Sequence, residues 1–123
     1  MRAAVHAVQF TADAMVTGGQ AIRVSKDGGK TFTKADTGAL RISVSSLLRV
    51  GSTLYAGTGT RWTDFTPTGG RGVLRSTDGG LTWHNISHSM PNKDILSLAA
   101  SPDGRYLFAG VDQGGVHRLE LDD

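Results

Sequence analysis

The octapeptide Ser25-Lys26-Asp27-Gly28-Gly29-Lys30-Thr31-Phe32 returns 51 residues later as Ser76-Thr77-Asp78-Gly79-Gly80-Leu81-Thr82-Trp83, identical at five of eight positions and aromatic at the last in both. A segment that recurs with its side-chain chemistry intact signals a repeated structural unit, and few folds are built that way. The flanks repeat too. Met15-Val16-Thr17-Gly18 resembles Leu54-Tyr55-Ala56-Gly57 and Leu107-Phe108-Ala109-Gly110. Ala21-Ile22-Arg23-Val24 resembles Gly72-Val73-Leu74-Arg75 and Gly115-Val116-His117-Arg118, and earlier runs start near Val5, Ile42 and Ile95. The chain is nearly three copies of one unit.

Each copy reads as short strands. Apolar and polar residues alternate in Val5 to Phe10 and again from Ile42, and β-branched and aromatic residues dominate the runs. Turn residues punctuate them. Ser101-Pro102-Asp103-Gly104-Arg105 combines a proline that presets φ with a glycine that tolerates positive φ. Asp27-Gly28-Gly29 and Asp78-Gly79-Gly80 mark hairpins. Each full copy is therefore expected to be a four-stranded antiparallel meander, a-b-c-d, and the third to stop after strand c. About eleven strands follow, with no helix beyond a turn or two. Residues 1–17 lack both glycine and proline and are rich in alanine, as a helix would be, but register with the other copies favours strand.

Composition agrees. Glycine is 17 of 123 residues, about twice the usual ~7%, as many tight turns require. There is no cysteine, which excludes disulfides, thiolate metal sites and a cysteine nucleophile. Thirteen Lys+Arg against eleven Asp+Glu include no basic run, so no nucleic-acid footprint is expected. No apolar run is long enough to span a membrane and no leader is seen, so a cytoplasmic location is favoured for the chain as given.

The pattern Ser-x-Asp-x-Gly-x-Thr-Trp/Phe in residues 25–32 and 76–83 resembles the Asp-box, or BNR repeat, of sialidases, xyloglucanase-type glycosidases, sortilin-like receptors and photosystem assembly factors. In the third copy Leu119 and Leu121 stand where serine and aspartate would be. The resemblance implies an all-β protein of β-propeller blades: residues 1–123 as one partial propeller, with blade 1 about 1–38, blade 2 about 39–90 and an incomplete blade 3 about 91–123. The box residues Ser25, Asp27, Gly29, Phe32, Ser76, Asp78, Gly80 and Trp83 are expected to be structural. The carboxylates would accept turn N–H groups, the glycines take angles closed to other residues, and the aromatics return into the blade beneath the turn. Calcium is not expected, because one carboxylate per turn is far from the six or more oxygens it takes.

Enzymatic readings find weak footing. A sialidase would need a glutamate beside a tyrosine nucleophile, and the only glutamate is Glu120. A glycosidase needs two facing carboxylates, and Asp36, Asp64, Asp94 and Asp112, expected on the face opposite the boxes, fall in no pairing motif. His84 and His88 have helical metal spacing in a strand-and-loop context, so no metal or cofactor is expected. Gly69-Gly70-Arg71-Gly72 lacks the lysine and helix of a phosphate loop. The informative departure is an insertion between strands b and c of copy two, residues 58–71, carrying Arg61, Trp62, Asp64 and Phe65. A ligand or partner site is expected there, flanked by His88, Asn92, Asp112 and Gln113. The other reading is that Trp62 and Phe65 pack on a neighbouring blade or subunit. The function expected is a non-enzymatic module for binding or assembly, with a carbohydrate or protein ligand; the alternative is a glycoside hydrolase or its inactive remnant. Because propellers close with about 4–8 blades, the chain is expected to self-associate, a dimer closing a six-bladed ring being the simplest form, or to belong to a larger propeller. The edge near residues 116–121 is left for a partner strand.

Overall fold

The computed structural model describes residues 5–11, 13–19, 21–36, 44–59, 72–87, 94–111 and 115–121. Within these the chain is all-β. The first sheet is a meander of β1 (Val5–Phe10), β2 (Met15–Gly19), β3 (Ile22–Ser25) and β4 (Thr33–Lys34), in that order. The second repeats it with β5 (Val44–Val50), β6 (Thr53–Thr58), β7 (Val73–Ser76) and β8 (His84–Asn85). The third has three strands, β9 (Ile95–Ala100), β10 (Tyr106–Val111) and β11 (Gly115–Glu120). The alanine-rich start is strand, because its alternate residues find sheet partners that outweigh local propensity.

The sheets stack face to face, β1 against β5 and β5 against β9. Alternation along each strand aims neighbours at opposite sides. Leu54 and Ala56 of β6 bury against the first sheet with Val16, Ile22, Val24, Ala35, Leu74 and Trp83. Tyr55, between them, buries against the third with Val73, Ile95, Leu107, Ala109 and Val111. Among the described residues both faces of the second sheet are thus covered, and one face each of the first and third.

Two features escape the repeat pattern. Each innermost strand carries one extra residue, a bulge at positions 6, 45 and 96. In the second sheet the bulge residue Ser45 donates its hydroxyl to Gly57 O (3.1 Å) and to Ile95 O of the third sheet. Opposite the bulges stand Gly18 and Gly57. A methyl on Gly18 would lie 2.5 Å from Val44 Cγ1, and one on Gly57 2.6 Å from Ile95 Cγ2. Each glycine is a socket for an aliphatic side chain of the next sheet. The second feature is a backbone tie at the outer edge. β4 is only two residues long, after which Asp36 pairs in parallel with Thr82: Asp36 N–H donates to Leu81 O (2.7 Å) and Trp83 N–H to Asp36 O (3.0 Å). Asp36 therefore lies against the last residues of the 76–83 segment, Leu81 to Trp83, not on the opposite face where the meander pattern put it.

Candidate functional site

The two repeated turns have the same geometry. In the first, Ser25 Oγ donates to Asp27 Oδ1 (2.8 Å) and accepts Gly29 N–H (2.9 Å). Asp27 Oδ1 also accepts Lys30 N–H (3.0 Å) and Thr31 N–H (2.9 Å), and Oδ2 accepts the Thr31 hydroxyl. The second turn repeats each bond: Ser76 Oγ to Asp78 Oδ1 at 2.8 Å, Gly80 N–H to Ser76 Oγ at 2.9 Å, Leu81 and Thr82 N–H to Asp78 Oδ1 at 3.1 and 2.9 Å, and the Thr82 hydroxyl to Oδ2. The threonine closes the carboxylate, a role that sequence reasoning left unassigned although Thr31 and Thr82 are identical in the repeat. Gly29 and Gly80 sit at φ of 91° and 98°, which L side chains rarely adopt.

These bonds hold both carboxyls well below the ordinary aspartate range. The Thr31 hydroxyl and N–H, with Ser25, lower Asp27 from 3.8 to about 2. At Asp78 partial desolvation pulls upward, but the Thr82 hydroxyl and N–H, with Ser76, overcome it and lower the group to about 2. The 101–105 turn of the third sheet uses a shorter version of this chemistry. Ser101 Oγ donates to Asp103 Oδ1 (2.6 Å), which also accepts Arg105 N–H (3.1 Å), and Asp103 is lowered as well, chiefly by the serine.

The aromatic closing each turn behaves differently in the two copies. Trp83 is 5% exposed, and its Nε1–H donates to Gly80 O at 2.7 Å, beneath the turn as expected. Phe32 is 42% exposed. The residue type permits burial in both, but Trp83 has the first sheet to pack against, and among the described residues no sheet lies beside Phe32. Tyr55 is buried, whereas Tyr106 lies on the uncovered face of the third sheet with Arg118 stacked 4.7 Å over its ring.

All eight residues expected to form a ligand or partner site, Arg61, Trp62, Asp64, Phe65, His88, Asn92, Asp112 and Gln113, lie outside the described residues. What is described is the base from which the insertion leaves. Thr58 N–H and Oγ1 both donate to Gly72 O, at 3.1 and 2.7 Å. Val73 N–H donates to Ser87 Oγ (2.9 Å), and Ser87 N–H to Asn85 Oδ1 (2.8 Å). Thr58 and Ser87 are buried, so this clamp fixes the far ends of β6 and β7, opposite the 76–83 turn. Among the described residues no three His, Asp or Glu side chains gather where a metal could sit, and no helix is long and apolar enough to cross a membrane.

No known family profile and no curated protein sequence matches the chain. Solved structures do. An ancestral GH74 enzyme is similar over 98% of this chain with a TM-score of 0.74 and 19% identity. A chain of the mitotic checkpoint complex is similar over 97%, with a TM-score of 0.67 and 16% identity. YCF48 from Cyanidioschyzon merolae is similar over 96%, with a TM-score of 0.61 and 20% identity. This chain spans only 19%, 36% and 34% of their respective lengths. At such identities the likeness speaks for fold alone, and the fold shared is the propeller. The three stacked meanders are blades of a partial β-propeller.

Proposed function

We propose that this chain is a non-enzymatic propeller module that works by binding or assembly, and that its two Ser-x-Asp turns are Asp-boxes with a structural task. The observation that carries the reading is where the turn carboxylates are engaged. Each accepts four hydrogen bonds from its own turn, so its oxygens are committed to the hairpin rather than to a substrate or ion. The ligand or partner site in this reading centres on the insertion, around Arg61, Trp62, Asp64 and Phe65. The buried Thr58–Gly72 clamp supports it by holding both ends of that insertion on a rigid strand pair.

The test is turnover. Incubation with soluble β-glucans, xyloglucan among them, is expected to release no reducing ends. Turnover that disappears in Asp64→Asn or Asp112→Asn would overturn the proposal in favour of a glycoside hydrolase. Binding to the same glycans that persists after residues 59–70 are replaced by a short glycine turn would move the site away from the insertion.

A further inference from the structure

We propose that the Asp103–Gly104 bond, in the turn between β9 and β10, is a site of spontaneous isomerisation to isoaspartate, and that Thr31 and Thr82 guard the equivalent bonds of the two box turns against the same reaction. The proposal does not depend on whether the chain binds or hydrolyses a glycan.

The chain contains three Asp–Gly bonds, Asp27–Gly28, Asp78–Gly79 and Asp103–Gly104. Glycine is the follower that least hinders cyclisation, because no Cβ screens its amide nitrogen. In that reaction the glycine nitrogen gives up its proton and attacks the aspartate Cγ. One Cγ–O bond breaks, the oxygen leaves as water, and a five-membered succinimide closes. Water then opens the ring at either carbonyl. One opening restores aspartate. The other gives isoaspartate, whose main chain runs through the side-chain carboxyl. One water is released and one consumed, so the product is an isomer of the starting chain.

Local backbone does not separate the three bonds. Gly28, Gly79 and Gly104 have φ of 75°, 79° and 72°. An added methyl would meet nothing within 4 Å at Gly28 or Gly79, and only Val50 Cγ1 at 3.8 Å at Gly104. All three aspartates are exposed. What separates them is how the carboxyl is held. In each box both oxygens are engaged: Oδ1 takes a serine hydroxyl and two main-chain N–H groups, and Oδ2 takes the threonine hydroxyl. Cγ cannot swing toward the glycine nitrogen, nor either oxygen depart, until these bonds are released. Asp103 has no counterpart of the threonine. Ser101 Oγ and Arg105 N–H both donate to Oδ1, and Oδ2 accepts nothing from another described residue. That leaves one oxygen in water, where it can be protonated and depart.

One contact opposes the reaction at Asp103: the attacking Gly104 N–H donates to Ser101 O at 2.9 Å. Counting it, three bonds must be released there and at least four at each box. One further bond of this kind, to a charged acceptor, corresponds to about fivefold in rate. Protonation acts in the same direction. With folded values of about 2 against 3.8, the box carboxyls carry roughly 60-fold less of the neutral form that loses water than an ordinary aspartate does. Isomerisation at Asp103 adds a methylene to the main chain of the β9–β10 reversal. It would loosen the bond by which Arg105 O holds Leu121 N–H at 2.8 Å.

The test is prolonged incubation of the full chain at neutral pH in heavy-oxygen water. Peptide mapping then reads isoaspartate and the one heavy oxygen gained on each ring opening. Isoaspartate is expected to form about fivefold faster or more at Asp103 than at Asp27 or Asp78. In urea the three rates should draw together. Thr82→Val should raise the rate at Asp78 about fivefold and leave that at Asp103 unchanged, while Thr82→Ser, which keeps the hydroxyl, should match the parent. Thr31→Val repeats the test at Asp27, on the more exposed box. Circular dichroism confirms that each variant is folded. Equal rates at the three bonds of the folded parent, a box ahead of Asp103, or the same spread persisting in urea overturns the proposal. So does a Thr82→Val or Thr31→Val variant that stays folded and leaves its box as inert as in the parent.

Discussion

Replacing Trp83 by alanine removes the side chain that joins the second box to the interior. It lies in one apolar cluster with Val16, Ile22, Val24 and Leu74, between two blades, and its Nε1–H satisfies Gly80 O at 2.7 Å. Truncating a buried aromatic of this size costs about 3–5 kcal/mol. Against a total stability of about 5–15 kcal/mol for a domain, that is roughly a fifth or more. It corresponds to a fall in melting temperature of roughly 10–20 °C for a chain of this length. Phe32→Ala, at the matching position of blade 1, starts from a ring already 42% exposed and should cost about 1 kcal/mol. Trp83→Phe separates ring from bond. It keeps most of the packing and leaves Gly80 O without its donor, for a loss of about 1–2 kcal/mol. Urea denaturation followed by circular dichroism measures all three, in dilute protein so that association adds nothing to stability. Equal losses for Trp83→Ala and Phe32→Ala would refute the reasoning, since the cost would then follow residue type and not the neighbouring blade.

Further outcomes follow from the same contacts. Asp27 and Asp78 have folded pKa values of about 2 against an ordinary 3.8, so the stability they confer is present above pH 4 and is lost as pH falls from about 4 to 2. The Asp27→Asn, Asp78→Asn double variant should flatten that limb of an acid-unfolding curve. Gly80→Ala should destabilise more than Gly79→Ala in thermal melts, by roughly 1–3 kcal/mol. Both have positive φ, but only at Gly80 does the added methyl press on Val16, Val24 and Leu54, while Gly79 has open space. In dilute protein Gly57→Ala should lower the melting temperature more than Gly110→Ala, because among the described residues only the first added methyl meets a side chain of a neighbouring blade.

Strand positions were legible because the repeat carries its own turn chemistry. Asp-Gly-Gly and Pro-Asp-Gly placed the reversals, and alternation between them placed the strands. The carboxylate and serine roles in the boxes could be argued from donor and acceptor inventory alone. The threonine was harder, since a hydroxyl one turn away has many possible partners. The bulges at positions 6, 45 and 96 left no compositional mark, as one extra residue reads like any other. Burial of Phe32 and Trp83 could not be separated by sequence, because it depends on which blade lies alongside. The position of Asp36 was missed because a two-residue strand is too short to extrapolate from. The aromatic insertion stood out as the longest addition to the repeat, and its side chains lie outside the described residues.

The backbone tie at Asp36 and Thr82 has a consequence for the order in which the molecule comes apart. Amides bonded across two blades exchange only when both open, so Asp36 and Trp83 N–H should be protected to nearly the same degree as the interior of β6. Blades 1 and 2 then melt as one cooperative unit. Blade 3 has no such backbone link among the described residues, being held to blade 2 by apolar packing and the Ser45 hydroxyl. It is the segment that should peel away first, leaving a two-blade remnant whose newly bared Tyr55 and Val73 would make it the species most prone to aggregate.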